Sequence, residues 1–198
     1  MGFSKIMKKI GCIALAGAVV ASTVAVPTTV KKADAAKKYK AYLCFASKNY
    51  NGAKDEHTTS TSKLGVFNGK TKKSYSGIKI KDASFKKGKF SITVSVTGKN
   101  LKKFKKDKGW NSIFVDTTLP GTSKSKLKVS KAVLKMDGKT VKTIKNPVLT
   151  PDPGSSQDYT QVMIVNTWNT YSEKKCSAAK ITKMPKKSMS VTITGKLK

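Results

Sequence analysis

Residues 90–97, Phe-Ser-Ile-Thr-Val-Ser-Val-Thr, alternate apolar and hydroxyl side chains with a strict period of two. In an extended chain that period puts Phe90, Ile92, Val94 and Val96 on one face and only Ser and Thr on the other. A helix would scatter the same residues around its surface, so this run buries its apolar atoms as a strand. Residues 189–194, Met-Ser-Val-Thr-Ile-Thr, repeat the design, and both runs end in Gly-Lys. Further strands are expected at 39–46, 64–67, 77–81, 112–117, 127–135, 139–145 and 161–168. Met136-Asp137-Gly138-Lys139 joins two of them, and Asp-Gly is the favoured type I′ hairpin turn. Asn51-Gly52, Asn68-Gly69 and Pro151-Asp152-Pro153-Gly154 read as turns or loops. Residues 101–108 offer one or two helical turns that present Lys rather than a core face, and no later stretch sustains a 3.6-residue period. Many short strands with frequent turns predict an all-β fold, an antiparallel β-sandwich or jelly roll.

The first residues follow another logic. Lys5, Lys8 and Lys9 precede a small-residue apolar run at 10–26, then Pro27 and the Ala33-Asp34-Ala35 cleavage pattern. This is the layout of a secretory signal peptide at 1–35, cut after Ala35 or Ala36. The apolar run is short for a membrane span, and Cys12 precedes most of it, which argues against a lipoprotein. The expected organisation is a signal peptide at 1–35 and a single β-sandwich domain at 36–198. The mature protein would be secreted, extracellular or loosely wall-associated, with no transmembrane anchor after cleavage. Leu119-Pro120-Gly121-Thr122-Ser123 resembles a sortase signal, but it lies mid-chain without an apolar tail and reads as a loop.

All 41 basic residues are Lys. Beyond residue 35 there remain 36 Lys and 9 acids, a formal net charge of +27. Such a surface attracts polyanions non-specifically over about 8 Å at physiological salt. The lack of Arg removes the bidentate reading of guanine and the stacking of a planar cation, so sequence-specific nucleic-acid recognition is not expected. The densest basic cluster, Lys99, Lys102, Lys103, Lys105, Lys106 and Lys108 with Phe104 and Trp110 interleaved, is a candidate electrostatic grip on a polyanion or a membrane surface.

Catalysis finds little support. His57 is the one His, set in a polar stretch. A Ser-His-Asp triad would need it, and with two distant mature Cys it makes a poor zinc set. A glycosidase needs two facing carboxylates, which the linear spacing of the acids does not supply. No enzyme activity, metal or cofactor is expected, apart from a structural calcium near Asp82 or Asp116 that the positive charge disfavours. Sugar binding is better supplied. Aromatic rings offer a flat apolar face with a polar tip, and amides and carboxylates hold hydroxyls. Trp110, Asn111, Asp158, Tyr159, Asn166, Trp168, Asn169 and Tyr171 are the candidate ligand-binding residues. Cys44 and Cys176 could form one disulfide in an oxidising compartment.

The order of these segments also resembles a known group. Ala-Tyr-Leu-Cys-Phe at 41–45 opens the domain, and Ile-Lys-Asp-Ala-Ser-Phe at 80–85 leads to Gly-Lys-Phe-Ser-Ile-Thr-Val at 88–94. The Asp137-Gly138 turn, an acidic Pro-rich loop, Ile-Val-Asn-Thr-Trp-Asn at 164–169 and a closing alternating strand follow. This resembles small secreted jelly-roll domains of Firmicutes that look like carbohydrate-binding modules. Here Phe90 and Val165 stand where that group carries Tyr, and Lys replaces many acids. The resemblance implies a fold and an extracellular setting, not an activity. Together these readings favour a non-catalytic module for glycans or anionic cell-surface polymers. A cationic effector acting on membranes or other cells, and a glycan-active hydrolase, are the alternatives.

Overall fold

The two alternating runs find each other. In the computed structural model, β6 (Gly88–Thr97) and β12 (Ser188–Leu197) pair antiparallel along their full length, from Ser188 opposite Thr97 to Leu197 opposite Gly88. Because both keep period two, one register buries Val94, Val96, Met189, Val191 and Ile193 together. It also lines up the hydroxyls outside, where Thr93 meets Thr192 at 2.8 Å and Ser91 meets Thr194 at 3.2 Å. The structure describes residues 36–47, 50–53, 65–68, 76–107, 109–151, 159–167, 174–179, 181 and 183–198. The proposed signal peptide and cleavage site lie outside them.

Among the described residues the remaining strands are β1 (Lys38–Ser47), β2 (Tyr50–Ala53), β3 (Gly65–Asn68), β4 (Lys79–Lys81), β5 (Ala83–Lys86), β7 (Trp110–Pro120), β8 (Leu127–Met136), β9 (Lys139–Lys145), β10 (Leu149–Pro151) and β11 (Tyr159–Asn166). They form two antiparallel sheets packed as a β-sandwich. One runs β10-β11-β7-β1-β2-β3, with β5 also on β1, and the other runs β4-β6-β12-β8-β9. From β3 onward the chain passes repeatedly from one sheet to the other. The core between them joins Leu43, Phe45, Ile113, Val115, Val162 and Ile164 to Val94, Leu134, Val191 and Ile193. Each fully buried aliphatic or aromatic side chain of this kind contributes about 1.5–3 kcal/mol.

Three local expectations are corrected. Asn51-Gly52 is no turn but the middle of β2, paired on one side with Phe45 and Ala46 and on the other with Val66 and Phe67. Partners on both edges override local turn chemistry. The 3-10 segment Lys99–Lys106 does hold a core residue, because Leu101 is fully buried. β7 runs through Leu119 and Pro120, so the expected loop begins only at the 3-10 turn Gly121–Lys126. The hairpin expectation holds: Asp137 and Gly138 adopt φ 50° and 81°, the two positive values a type I′ turn requires.

The strands β1, β7 and β11 of the seven-stranded sheet are buried on both faces, which strict one-sided alternation does not predict. Tyr42, Cys44, Phe114, Met163 and Cys176 form a second buried cluster, with Ile80 and Val148 packed against it. This accounts for unbroken burial from Ala41 to Ser47 and from Ser112 to Thr117. The expected disulfide is corrected here: Cys44 and Cys176 share this cluster as thiols, with no bond between them. Small and polarizable, Cys fills such a site as a hydrophobe.

A basic cleft at the hairpin end and a buried polar row

The residues expected to bind sugar are divided by the fold. Trp110 begins β7 with 3% of its surface exposed, its ring edge-on to Phe45 at 6.0 Å. It is therefore a core residue and not a stacking platform, because the aromatic pairing that stabilises it also hides its faces. Its indole Nε1 and the Ser112 hydroxyl are buried without a hydrogen-bond partner among the described residues. Asn166 is buried at the end of β11, opposite Ser112. Asn111, half-buried, uses its carbonyl to accept the Thr167 amide at 2.8 Å. Tyr159 starts β11, so it stands about 23 Å from Asn166 at ~3.3 Å per residue. Trp110, Asn111 and Asn166 thus gather at one end of the sheet and Tyr159 does not join them. Asp158, Trp168, Asn169 and Tyr171 lie outside the described residues, as does Lys108. Lys102 is exposed on the 3-10 segment, which also carries Lys103, Lys105 and Lys106.

On the covered face of the seven-stranded sheet a polar row crosses three strands. Tyr42 stands opposite Asp116, and Asp116 opposite Gln161. All three are buried. Burial, then the Asp116 carboxylate, drives the Tyr42 pKa far above the ordinary phenol value, and its hydroxyl hydrogen-bonds to that carboxylate. Asp116 also accepts the Thr117 backbone N–H at 2.9 Å. Asp82 receives the Lys40 ammonium at 3.4 Å, the one salt bridge among the described residues. Both carboxylates considered for calcium are therefore committed to protein donors. Among the described residues no group of three or more His, Cys, Asp or Glu side chains converges as a metal site would.

An open cleft of about 840 Å³ lies beside the β8–β9 turn, within the usual range for ligand sites. Lys139, Lys183, Lys186 and Lys187 line it, together with Asp107 and Asp137. Asp137 is spent on the backbone. Its carboxylate accepts the N–H groups of Lys186, Lys187 and Ser188 at 2.7–3.1 Å, and so fixes the start of β12. Burial works to raise its pKa, but those amides and the Lys186 ammonium outweigh it and hold the carboxyl below its ordinary value. Asp107, 5% exposed, accepts a short hydrogen bond from the Ser47 hydroxyl. The exposed lysines of the cleft accordingly have no salt-bridge partner among the described residues.

Sequence reasoning missed this cleft. Asp137 was legible as a turn residue, but its grip on residues 186–188, some fifty positions away, was not. The signal within reach was Pro185-Lys186-Lys187 immediately before a strand. Replacing Asp137 with Asn keeps the turn and weakens the three amide contacts. The expected loss is about 1 kcal/mol at neutral pH, kept small by solvent screening. A carboxyl with a lowered folded pKa stabilises above its unfolded value, near 3.8, and loses that contribution as pH falls through the folded one. Urea unfolding should therefore separate the wild type from Asp137→Asn at pH 7 and bring them together toward pH 2.

A second lysine works inward. Lys142 donates its Nζ to the Ile164 carbonyl at 2.9 Å and to the Ser177 carbonyl at 2.7 Å, tying β9 to the opposite sheet and to the segment after Cys176. Burial lowers its pKa, and the neighbouring Cys176 thiol pulls the other way. Among the described residues, Lys142 is used to build the fold while most other lysines face solvent. No protein-family model, no curated protein and no solved structure matches this chain.

Proposed function

We propose that the protein is a secreted, non-catalytic module that binds glycans or anionic polymers at the cell surface. The observation that carries this reading is the basic cleft, which four lysines line together with two carboxylates, Asp137 held by backbone amides and Asp107 by the Ser47 hydroxyl. A cleft whose lysines make no salt bridge among the described residues favours an anionic ligand, and the net charge raises its local concentration. Trp110 is not part of the reading, since its faces are covered.

The hydrolase reading has one observation in its favour: Asp107 and Asp137 line the same cleft. The chemistry runs against it. A glycosidase needs one carboxyl held protonated as general acid, whereas Asp137 is held ionised by three amides and Asp107 is engaged by Ser47.

The test is binding of the full chain to a panel of neutral and acidic glycans and wall polymers at ~0.15 M and ~0.5 M salt, between which screening changes strongly. Saturable binding to acidic members is expected. Combined Lys183→Ala, Lys186→Ala and Lys187→Ala changes should weaken it about tenfold, a loss of about 1.4 kcal/mol. Absence of saturable binding to every polymer would overturn the proposal.

A further inference from the structure

Every charged residue on the strands of the five-stranded sheet is a lysine. β4, β6, β8, β9 and β12 contain no Asp or Glu at all. Solvent-facing sheets ordinarily intersperse both signs. Lysines on an edge strand are explained by protection against edge pairing, which covers β4 and β9. That explanation does not reach β6, β12 and β8, the three interior strands.

On those interior strands three lysines fall in one row. Lys196 stands directly opposite Lys89 on one side and opposite Lys128 on the other. All three are exposed. Neighbouring strands lie about 4.8 Å apart, and like charges directly opposite each other destabilise a sheet. None of the three has a salt-bridge partner among the described residues. The fold therefore sets three like charges side by side near one end of its interior strands, an arrangement that costs stability.

The row also borders a hollow. A β-bulge interrupts the β12–β8 register between Thr194 and Gly195. At Gly195 a Cβ would come within 2.2 Å of the Lys128 carbonyl oxygen and 3.0 Å of the Phe90 ring. Beside the bulge lies a shallow hollow of about 570 Å³, lined by Phe90, Lys89, Lys128 and Lys196. Ser91, Ser130 and Thr194 add hydroxyls to its lining. Bulges recur where a side chain must be re-aimed at a site.

We infer that this hollow is a binding site for the phosphate groups of an anionic polymer, taken as phosphodiester or phosphoanhydride units. Three lysines and three hydroxyl residues border one hollow, and the oxygens of a phosphate can accept from several such donors around one charge. Ammonium is a standard point-charge partner for phosphate. The row lies across the strands and the hydroxyl ladder of β6 and β12 continues from it, so an extended chain has a polar track to follow. This inference deepens the polymer-binding reading above and rests on it.

The test measures binding of full-length protein to inorganic polyphosphate and to poly-glutamate of matched length, by calorimetry across a salt series. One variant combines Lys89→Gln, Lys128→Gln and Lys196→Gln. A second makes the same charge change elsewhere, at the exposed Lys37, Lys86 and Lys174. The row variant should lose at least tenfold in polyphosphate affinity and flatten the salt dependence by about two to three released ions. The second should lose less than threefold, and poly-glutamate should discriminate little between them. The row variant should also melt at a higher temperature than the wild type, because the repulsion is gone, which separates lost binding from lost folding. Equal losses in the two variants would overturn the site and leave the general reading standing. No binding of wild type to polyphosphate would also overturn the site, while the general reading stands or falls on the panel of glycans and wall polymers.

Discussion

Replacement of Asp116 by alanine is expected to destabilise the protein by about 3 kcal/mol, because it strands two buried donors at once. The carboxylate accepts the Thr117 amide and the Tyr42 hydroxyl, and all three residues are 2% exposed or less. For a domain of this size the melting temperature should fall by about 6–12 °C. Tyr42→Phe removes only one donor and should cost less. The two changes share a partner, so the double variant should cost less than the sum of the single ones. Alkaline titration gives an independent check. A phenol whose folded pKa is raised contributes stability that is complete below its unfolded value near 10 and is lost as pH rises beyond it. The stability difference between wild type and Tyr42→Phe should therefore shift steadily against the wild type above pH 10. Lysine deprotonation affects both proteins alike and cancels in that difference. Equal unfolding midpoints for Asp116→Ala and wild type would show that the row contributes nothing.

The same row marks the limit of what sequence patterning reveals. The five-stranded sheet was readable, since a run such as 90–97 with hydroxyls at every second place has one buried face and one wet face. Its hairpin was readable from Asp137-Gly138. The seven-stranded sheet was found as strands, but its second buried face was not foreseen. Residues such as Tyr42 and Cys44 alternate with a true core set, and Ile80, Val148 and Cys176, which pack against them, come from distant parts of the chain. Short partners escaped for a related reason: β2, β5 and β10 span three or four residues and hold their shape through β1 and β11. Pro151 is tolerated in β10 because that strand lies at the sheet edge. At the candidate sites, aromatic content pointed to Trp110, and the fold used it as core. The lysines that matter came together through strand register, which composition cannot show: a count of 36 gives no hint that three align across β6, β12 and β8.

Register also makes one glycine irreplaceable. Gly98 leaves β6 with φ 148°, a backbone conformation that residues with side chains rarely adopt. A Cβ there would meet the Gly77 carbonyl oxygen at 2.2 Å and the Ile78 Cα at 2.9 Å. Both are backbone atoms, so no rotamer change can relieve the clash. The glycine cannot move away either. Its amide donates to the Lys187 carbonyl at 2.9 Å and its carbonyl accepts the Leu101 amide at 3.1 Å. It thereby ties the end of β6 to the start of β12 and seeds the turn that drops Leu101 into the core. Strain of this kind costs about 1–3 kcal/mol before any steric overlap is counted. Gly98→Ala is therefore expected to destabilise the domain by about 3–5 kcal/mol, in the exceptional range for a single methyl group. The residues beside Asp137 would feel the change first, because Lys187 is both the partner of Gly98 and one of the amides that Asp137 holds. Hydrogen exchange should show faster exchange at residues 186–188 in Gly98→Ala than in Leu134→Ala, a core truncation chosen for a similar global loss. If Gly98→Ala matched the wild type in unfolding midpoint, Gly98 could not be the joint that sets the β6–β12 register.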